Sequence, residues 1–100
     1  MKKHTFYSIV KFDKIKAIKW TGWTDGTFNY YKDKFGKWYT IEPTTGLSTG
    51  YPHNTRQQAS EHVHTPEMME KIKTAIKTDL QERFNKLVQE AQAEELQKCS

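Results

Sequence analysis

After Pro66 the chain contains no further glycine or proline, and Met69, Ile72, Ile76, Leu80, Phe84, Leu87 and Ala91 recur at steps of three or four. That spacing lines all of them along one stripe of an α-helix. Thr65-Pro66-Glu67 supplies a start signal. The threonine can accept a backbone N–H as N-cap, proline at the first helical position lacks the N–H that would go unpaired there, and an acid suits the positive end of the helix dipole. Glu67–Lys71, Asp79–Arg83 and Glu82–Lys86 each place the acid four residues before the base, the favourable order. Residues 66–97 are therefore expected to form one amphipathic helix, about 45 Å long at ~1.5 Å per residue. A domain of 100 residues is narrower than that, so the far end of the stripe would stand in water. Leu80, Phe84, Leu87 and Ala91 are accordingly expected to form the seam of a homodimer.

The first half of the chain is built differently. It holds twelve of the thirteen aromatic residues, leaving only Phe84 for the second half, and in a domain this small such rings must supply much of the buried area. "TFYSIVKF" at 5–12 and "IKAIKWTGW" at 15–23 have strand composition, with Asp13-Lys14 short enough to join them as a hairpin. Asp25-Gly26 predicts a two-residue type I′ turn and a second hairpin. "KWYTIE" gives a fourth strand, ended by Pro43, and a short fifth strand fits at 47–50. Asn54, with Gln57 three positions on, is expected to cap a short helix within 54–64. The whole reads as one α+β domain, residues 1–100: an antiparallel β-meander of three to five strands over 5–50, then a short helix and one long C-terminal helix.

Two-residue turns at both hairpins would set Trp23 opposite Phe28, Trp20 opposite Tyr31, Tyr7 opposite Trp20 and Phe6 opposite Thr21. One face would then carry Tyr7, Ile9, Ile18, Trp20 and Tyr31. The other would carry Phe6, Val10, Phe12, Ala17, Trp23, Phe28 and Tyr30, together with Lys19 and Lys32. A single helical stripe can cover only one of these faces, and Lys19, Trp23, Phe28, Tyr30 and Lys32 are the expected binding platform on the other.

Charge favours that reading. Residues 1–51 contain nine lysines against Asp13, Asp25, Asp33 and Glu42, whereas the remainder is slightly acidic. Basic charge and rings coincide, as in proteins that bind nucleic acid. The one cysteine, Cys99, suggests a reducing compartment, and no leader-like or membrane-length apolar run occurs, so a soluble cytoplasmic protein without membrane association is expected. His53, His62 and His64 lack the further ligands of a working metal site, and no phosphate loop, nucleophile elbow or paired carboxylates are present. No enzymatic activity, cofactor or metal is expected.

From Gly36 the order "GKWYTIEPTTGLSTGYPHNTRQQASEHV" resembles the small β-sheet-plus-helix domains of phage integrase arm-binding regions and of plant ethylene-response-type DNA-binding proteins. Trp38 matches their strand tryptophan, and Thr55 with Ala59 their helix opening. The chain as a whole looks like short accessory proteins of Gram-positive bacteriophages and mobile elements. The resemblance covers about thirty residues and implies a sheet that contacts DNA. The strands here carry lysine and no arginine, which favours sequence-tolerant attachment to phosphates over base readout. The expected function is therefore non-enzymatic nucleic-acid binding through a basic aromatic sheet face. The alternative is a dimeric interaction module, a phage-type adaptor or inhibitor that presents the same rings to a host protein.

Overall fold

The computed structural model describes residues 1–11 and 13–99, with side chains as far as Gln97. Phe12, expected on the Trp23 face, lies outside the described residues. Four antiparallel strands, β1 (Lys2–Lys11), β2 (Ile15–Thr24), β3 (Asn29–Lys32) and β4 (Trp38–Ile41), lie side by side in chain order. Helices α1 (Arg56–Val63), α2 (Pro66–Ala75) and α3 (Thr78–Cys99) follow, giving the expected α+β architecture. Where a fifth strand was expected, a single antiparallel bridge joins Ser48 to Ile41. No helix among the described residues is long and apolar enough to cross a membrane.

Both hairpin registers differ from expectation, with different consequences. Asp25 does not sit at the centre of its turn. Its carboxylate Oδ1 accepts the N–H groups of Thr27 at 2.9 Å and Phe28 at 2.7 Å, which makes Asp25 the first turn residue and moves Gly26 (φ +92°) and Thr27 to the centre. Trp23 now faces Tyr30 and Thr24 faces Asn29. Because this changes the register by two residues, it leaves each side chain on its expected face.

The β1–β2 loop instead slips the register by one, with Lys11 opposite Ile15, Phe6 opposite Trp20 and Tyr7 opposite Lys19. A one-residue slip turns every β1 side chain over. Phe6 and Val10 join Trp20, whereas Tyr7 and Ile9 join Ala17 and Lys19. The slip lets the Trp20 indole N–H donate to the buried Ser8 hydroxyl at 2.7 Å. It also places Tyr7 beside Lys19, where both bond to Glu95 of α3.

The helices pack on the face that carries Ala17, Trp23 and Tyr30. Helix α1 is capped by Thr55, one residue later than expected, with Gln58 N–H donating to its hydroxyl at 3.1 Å. It buries Ala59 and Val63, one turn apart, against Phe28 and Tyr30. Helix α2 starts as expected at Thr65-Pro66.

The expected continuous helix over 66–97 is broken. Ile76 is extended (ψ 112°), and α3 begins two residues later. No glycine or proline is responsible. Ile72, Thr74, Ile76 and Thr78 form an alternating run of β-branched residues, each a weak helix former. The Thr74 hydroxyl also donates back to the Glu70 carbonyl at 2.9 Å, a bond that loosens the turn ahead of the break. Tertiary packing decides the outcome: α3 folds back along β2 and seats the Phe84 ring against Gly46.

Candidate functional site

The structure brings Trp23, Phe28 and Tyr30 to one face, but it is the face that α1 covers. Tyr30 is 0% exposed and Phe28 3% exposed, so neither ring can stack on an outside ligand. Trp23 is half-buried under the Arg56 guanidinium, 4.3 Å from its ring, and Trp38 lies on the other flank of that guanidinium at 6.0 Å. Lys19 pairs with Glu95 at 3.1 Å, and Lys32 alone of the expected platform stands exposed without an ion pair among the described residues. The expected platform is thus mostly the protein's own core, because apolar rings next to an amphipathic helix are buried by it before they can meet a partner.

The expected dimer seam is likewise used inside the chain. Phe84 is 6% exposed, and Leu80, Leu87 and Ala91 are half-buried. The helix break removes the protruding stripe that motivated a partner helix.

A different set of rings occupies the opposite side of the sheet. Trp20 stacks on Tyr31 at 4.1 Å between centroids and 16° between planes, and Tyr31 stacks on Tyr39 at 5.5 Å and 20°. Phe6 meets Tyr31 at 6.5 Å, and His4 stacks on Phe6 at 6.1 Å. Each rung comes from a strand: Phe6 pairs with Trp20 across β1–β2 and Tyr31 with Tyr39 across β3–β4. Trp20, Tyr31 and Tyr39 are half-buried, whereas Phe6 is closed in by its neighbours. Among the described residues, no ring contact of this ladder comes from a helix. Strand alternation places the exposed Lys2 and Lys16 on the same side. Burial, followed by the nearby Tyr39 and Asp33, raises the Tyr31 phenol, so it stays neutral.

Three of the four acids of the first half are committed to turns, the exposed Asp13 of the β1–β2 loop being the fourth, which leaves the lysines to dominate the outward charge of the sheet. Asp33 accepts the N–H groups of Phe35 and Lys37, each at 2.9 Å. Glu42, 8% exposed, accepts the N–H and hydroxyl groups of both Thr44 and Thr45. Burial opposes ionisation of Glu42, but these donors outweigh it and hold the carboxyl below its usual range. Asp25 adds a third fixed acid. Its Oδ2 accepts from the Tyr30 hydroxyl at 2.6 Å and lies 2.8 Å from His64 Nε2. Partial burial pushes this carboxyl up, yet the Phe28 N–H, Tyr30, His64 and the Thr27 N–H bring it down to about 2. Burial and Asp25 raise the Tyr30 phenol in turn.

The three histidines separate into two structural contacts. His53 Nε2 faces His62 Nδ1 at 3.2 Å, and burial followed by the His62 charge lowers His53. His64 belongs to the Asp25 network instead. No group of three His, Cys, Asp or Glu side chains among the described residues is placed to hold a metal.

Sequence reasoning placed Trp20 and Tyr31 together but missed Tyr39. The available signal was "YKDKFGKWY", in which Asp33 and Gly36 close a turn that sets Tyr31 opposite Tyr39. Of the residues that carried the family resemblance, Trp38 packs on the core cluster, Ala59 is inside it, and Thr55 is the α1 cap. Comparison of the chain with family models, curated proteins and solved structures finds no significant match in any of the three.

Proposed function

We propose that this chain binds single-stranded nucleic acid, without catalysis, through the sheet side that carries Trp20, Tyr31 and Tyr39. The observation that carries the reading is the ladder itself: stacked, half-exposed rings on the side opposite the helices. Helices on one side of a four-stranded sheet and rings on the other is the layout by which sheet platforms stack unpaired bases. The ladder ends at the half-exposed Tyr39, where a base would continue the stack. Lys2 and Lys16 hold phosphates as point charges, which suits sequence-tolerant binding. A duplex hides its base faces and is the poorer ligand. The alternative of a dimeric adaptor loses its helix seam, since Phe84 is inside its own chain.

Fluorescence anisotropy with a labelled oligothymidylate and a duplex of equal length tests this. The single strand should bind more tightly, and Tyr39→Ala should weaken it about tenfold, within the range for one base–ring stack. If about four lysines contact phosphates, affinity for the single strand should fall about 50-fold between roughly 50 and 200 mM salt. Absence of binding at the lower salt, or equal binding by Tyr39→Ala, would overturn the reading.

A further inference from the structure

We propose that the β3–β4 hairpin tip is a second contact for the same strand, with Phe35 stacking on a base beyond the ladder and Lys34 holding its phosphate. The inference rests on the nucleic-acid reading above and extends it to residues outside the ladder. Phe35 is 77% exposed, and its one ring contact among the described residues is the Lys34 ammonium, 5.2 Å from the centroid. The core therefore gains almost nothing from this phenylalanine, and water meets nearly all of it.

The turn that displays Phe35 is tied by four hydrogen bonds. Asp33 N–H donates to the Lys37 carbonyl at 2.9 Å, Gly36 N–H donates to the Asp33 carbonyl at 3.2 Å, and Gly36 adopts φ +80°. This is a three-residue loop with its glycine in the left-handed position, a preferred way to close a hairpin. The Asp33 carboxylate ties the Phe35 and Lys37 N–H groups from inside the loop. A polar residue in place of Phe35 would satisfy the same turn. What phenylalanine adds is a ring held on a fixed backbone, so little ordering entropy is lost when it meets a partner.

Charge and position select the partner. Lys34 is exposed and has no ion pair among the described residues, and Lys32, exposed on the side of the sheet opposite the ladder, adds to the positive charge of the tip. Lys37 donates its ammonium to the Asn54 side chain. The single acid of the tip, Asp33, is turned inward on backbone N–H groups, so the tip presents positive charge around an apolar ring. It is also continuous with the ladder. Tyr31 and Tyr39 form the third residue pair from the loop, with Asp33–Lys37 and Lys32–Trp38 between, so the loop begins about 10 Å beyond the last rung at ~3.3 Å per residue. An anionic polymer with an aromatic base at each step complements both features, and one strand lying along the hairpin reaches ladder and tip together.

Oligothymidylate binding by wild type, Phe35→Ala, Phe35→Leu, Phe35→Tyr and Tyr39→Ala decides the matter, with thermal melting of each variant as a control. Phe35→Ala and Phe35→Leu should each weaken binding about tenfold with melting unchanged, and Phe35→Tyr should bind as wild type does. If wild type and Tyr39→Ala behave as proposed while Phe35→Ala and Phe35→Leu stay within about twofold of wild type, the tip contact is wrong and the ladder reading stands. If wild type fails to bind the oligonucleotide at low salt, both fall. Phe35-dependent binding to phosphatidylserine vesicles, with oligonucleotide affinity indifferent to Phe35, would replace the tip contact by a membrane contact.

Discussion

Replacing Asp25 should show how much of the fold hangs on one carboxylate. It accepts four hydrogen bonds: two from the turn N–H groups of Thr27 and Phe28, one from the Tyr30 hydroxyl and one from His64. In Asp25→Ala the exposed Thr27 N–H can turn to water, so its loss is small. Tyr30 is 0% exposed, so its hydroxyl loses a charged acceptor that water replaces only in part. A buried hydrogen bond to a charged group is worth about 1.5–3 kcal/mol, and each turn N–H that water can reach after the substitution loses about 1 kcal/mol or less. The sum is about 3 kcal/mol, a large share of the ~5–15 kcal/mol typical of a domain, and would lower the melting temperature by about 12–24 °C. Asp25→Asn keeps an acceptor for the turn but offers an N–H to groups that need one, and should cost about 2 kcal/mol. A double-mutant cycle of Asp25→Asn with Tyr30→Phe should show about 1.5 kcal/mol of coupling. The pH dependence has a definite sign. Asp25 falls from the ordinary 3.8 to about 2 on folding, so its charge stabilises fully above 3.8, and that stabilisation is lost as pH falls towards 2. Screening of a partly solvated carboxylate leaves this at ~1 kcal/mol. Urea unfolding followed by tryptophan fluorescence at pH 7 and pH 2.5 measures all of these. An Asp25→Ala variant within about 0.5 kcal/mol of wild type, or a coupling indistinguishable from zero, would refute the reasoning.

Two further substitutions probe the rest of the fold. Phe84→Ala should destabilise the protein by about 3–5 kcal/mol, the usual cost of emptying a buried ring site. Its unfolding midpoint, like that of wild type, should not vary with protein concentration; a marked concentration dependence would return Phe84 to an intermolecular seam. Glu42→Gln should cost about 1–2 kcal/mol at pH 7 by weakening the acceptor of the Thr44 and Thr45 groups. Because the Glu42 carboxyl is depressed on folding, the difference from wild type should shrink as pH drops below the usual carboxylate range. Urea midpoints at both pH values check this.

Local chemistry made much of this protein legible from its residues. Turn formers and strand composition announced the four strands. Thr65-Pro66 marked the start of α2, and the stripe of three- and four-residue steps picked out Phe84 on the buried side of α3, whereas on α2 the buried methionine is Met68 and the stripe's Met69 is exposed. Hairpin registers were harder, because a single side-chain hydrogen bond can shift a turn by one residue. Asp25 moved its turn without changing faces, whereas the β1–β2 loop turned β1 over and carried Phe6 to the ladder side. The break after Ala75 was only faintly written, in weak helix formers between 72 and 78.

Which rings the helices would cover could not be read from the residues at all. Trp20 with Tyr31 and Trp23 with Tyr30 are equally aromatic. Alternation along a strand separates the two sets but is symmetric between the sides of the sheet. The symmetry is broken only when α1 and the folded-back α3 choose the Trp23–Tyr30 side. Burial then depends on contacts between segments more than thirty residues apart, as between Tyr30 and Val63. Sequence separated Trp20 and Tyr31 from Trp23, Phe28 and Tyr30, and tertiary packing buried Phe28 and Tyr30 in the core while leaving Trp20 and Tyr31 half-exposed.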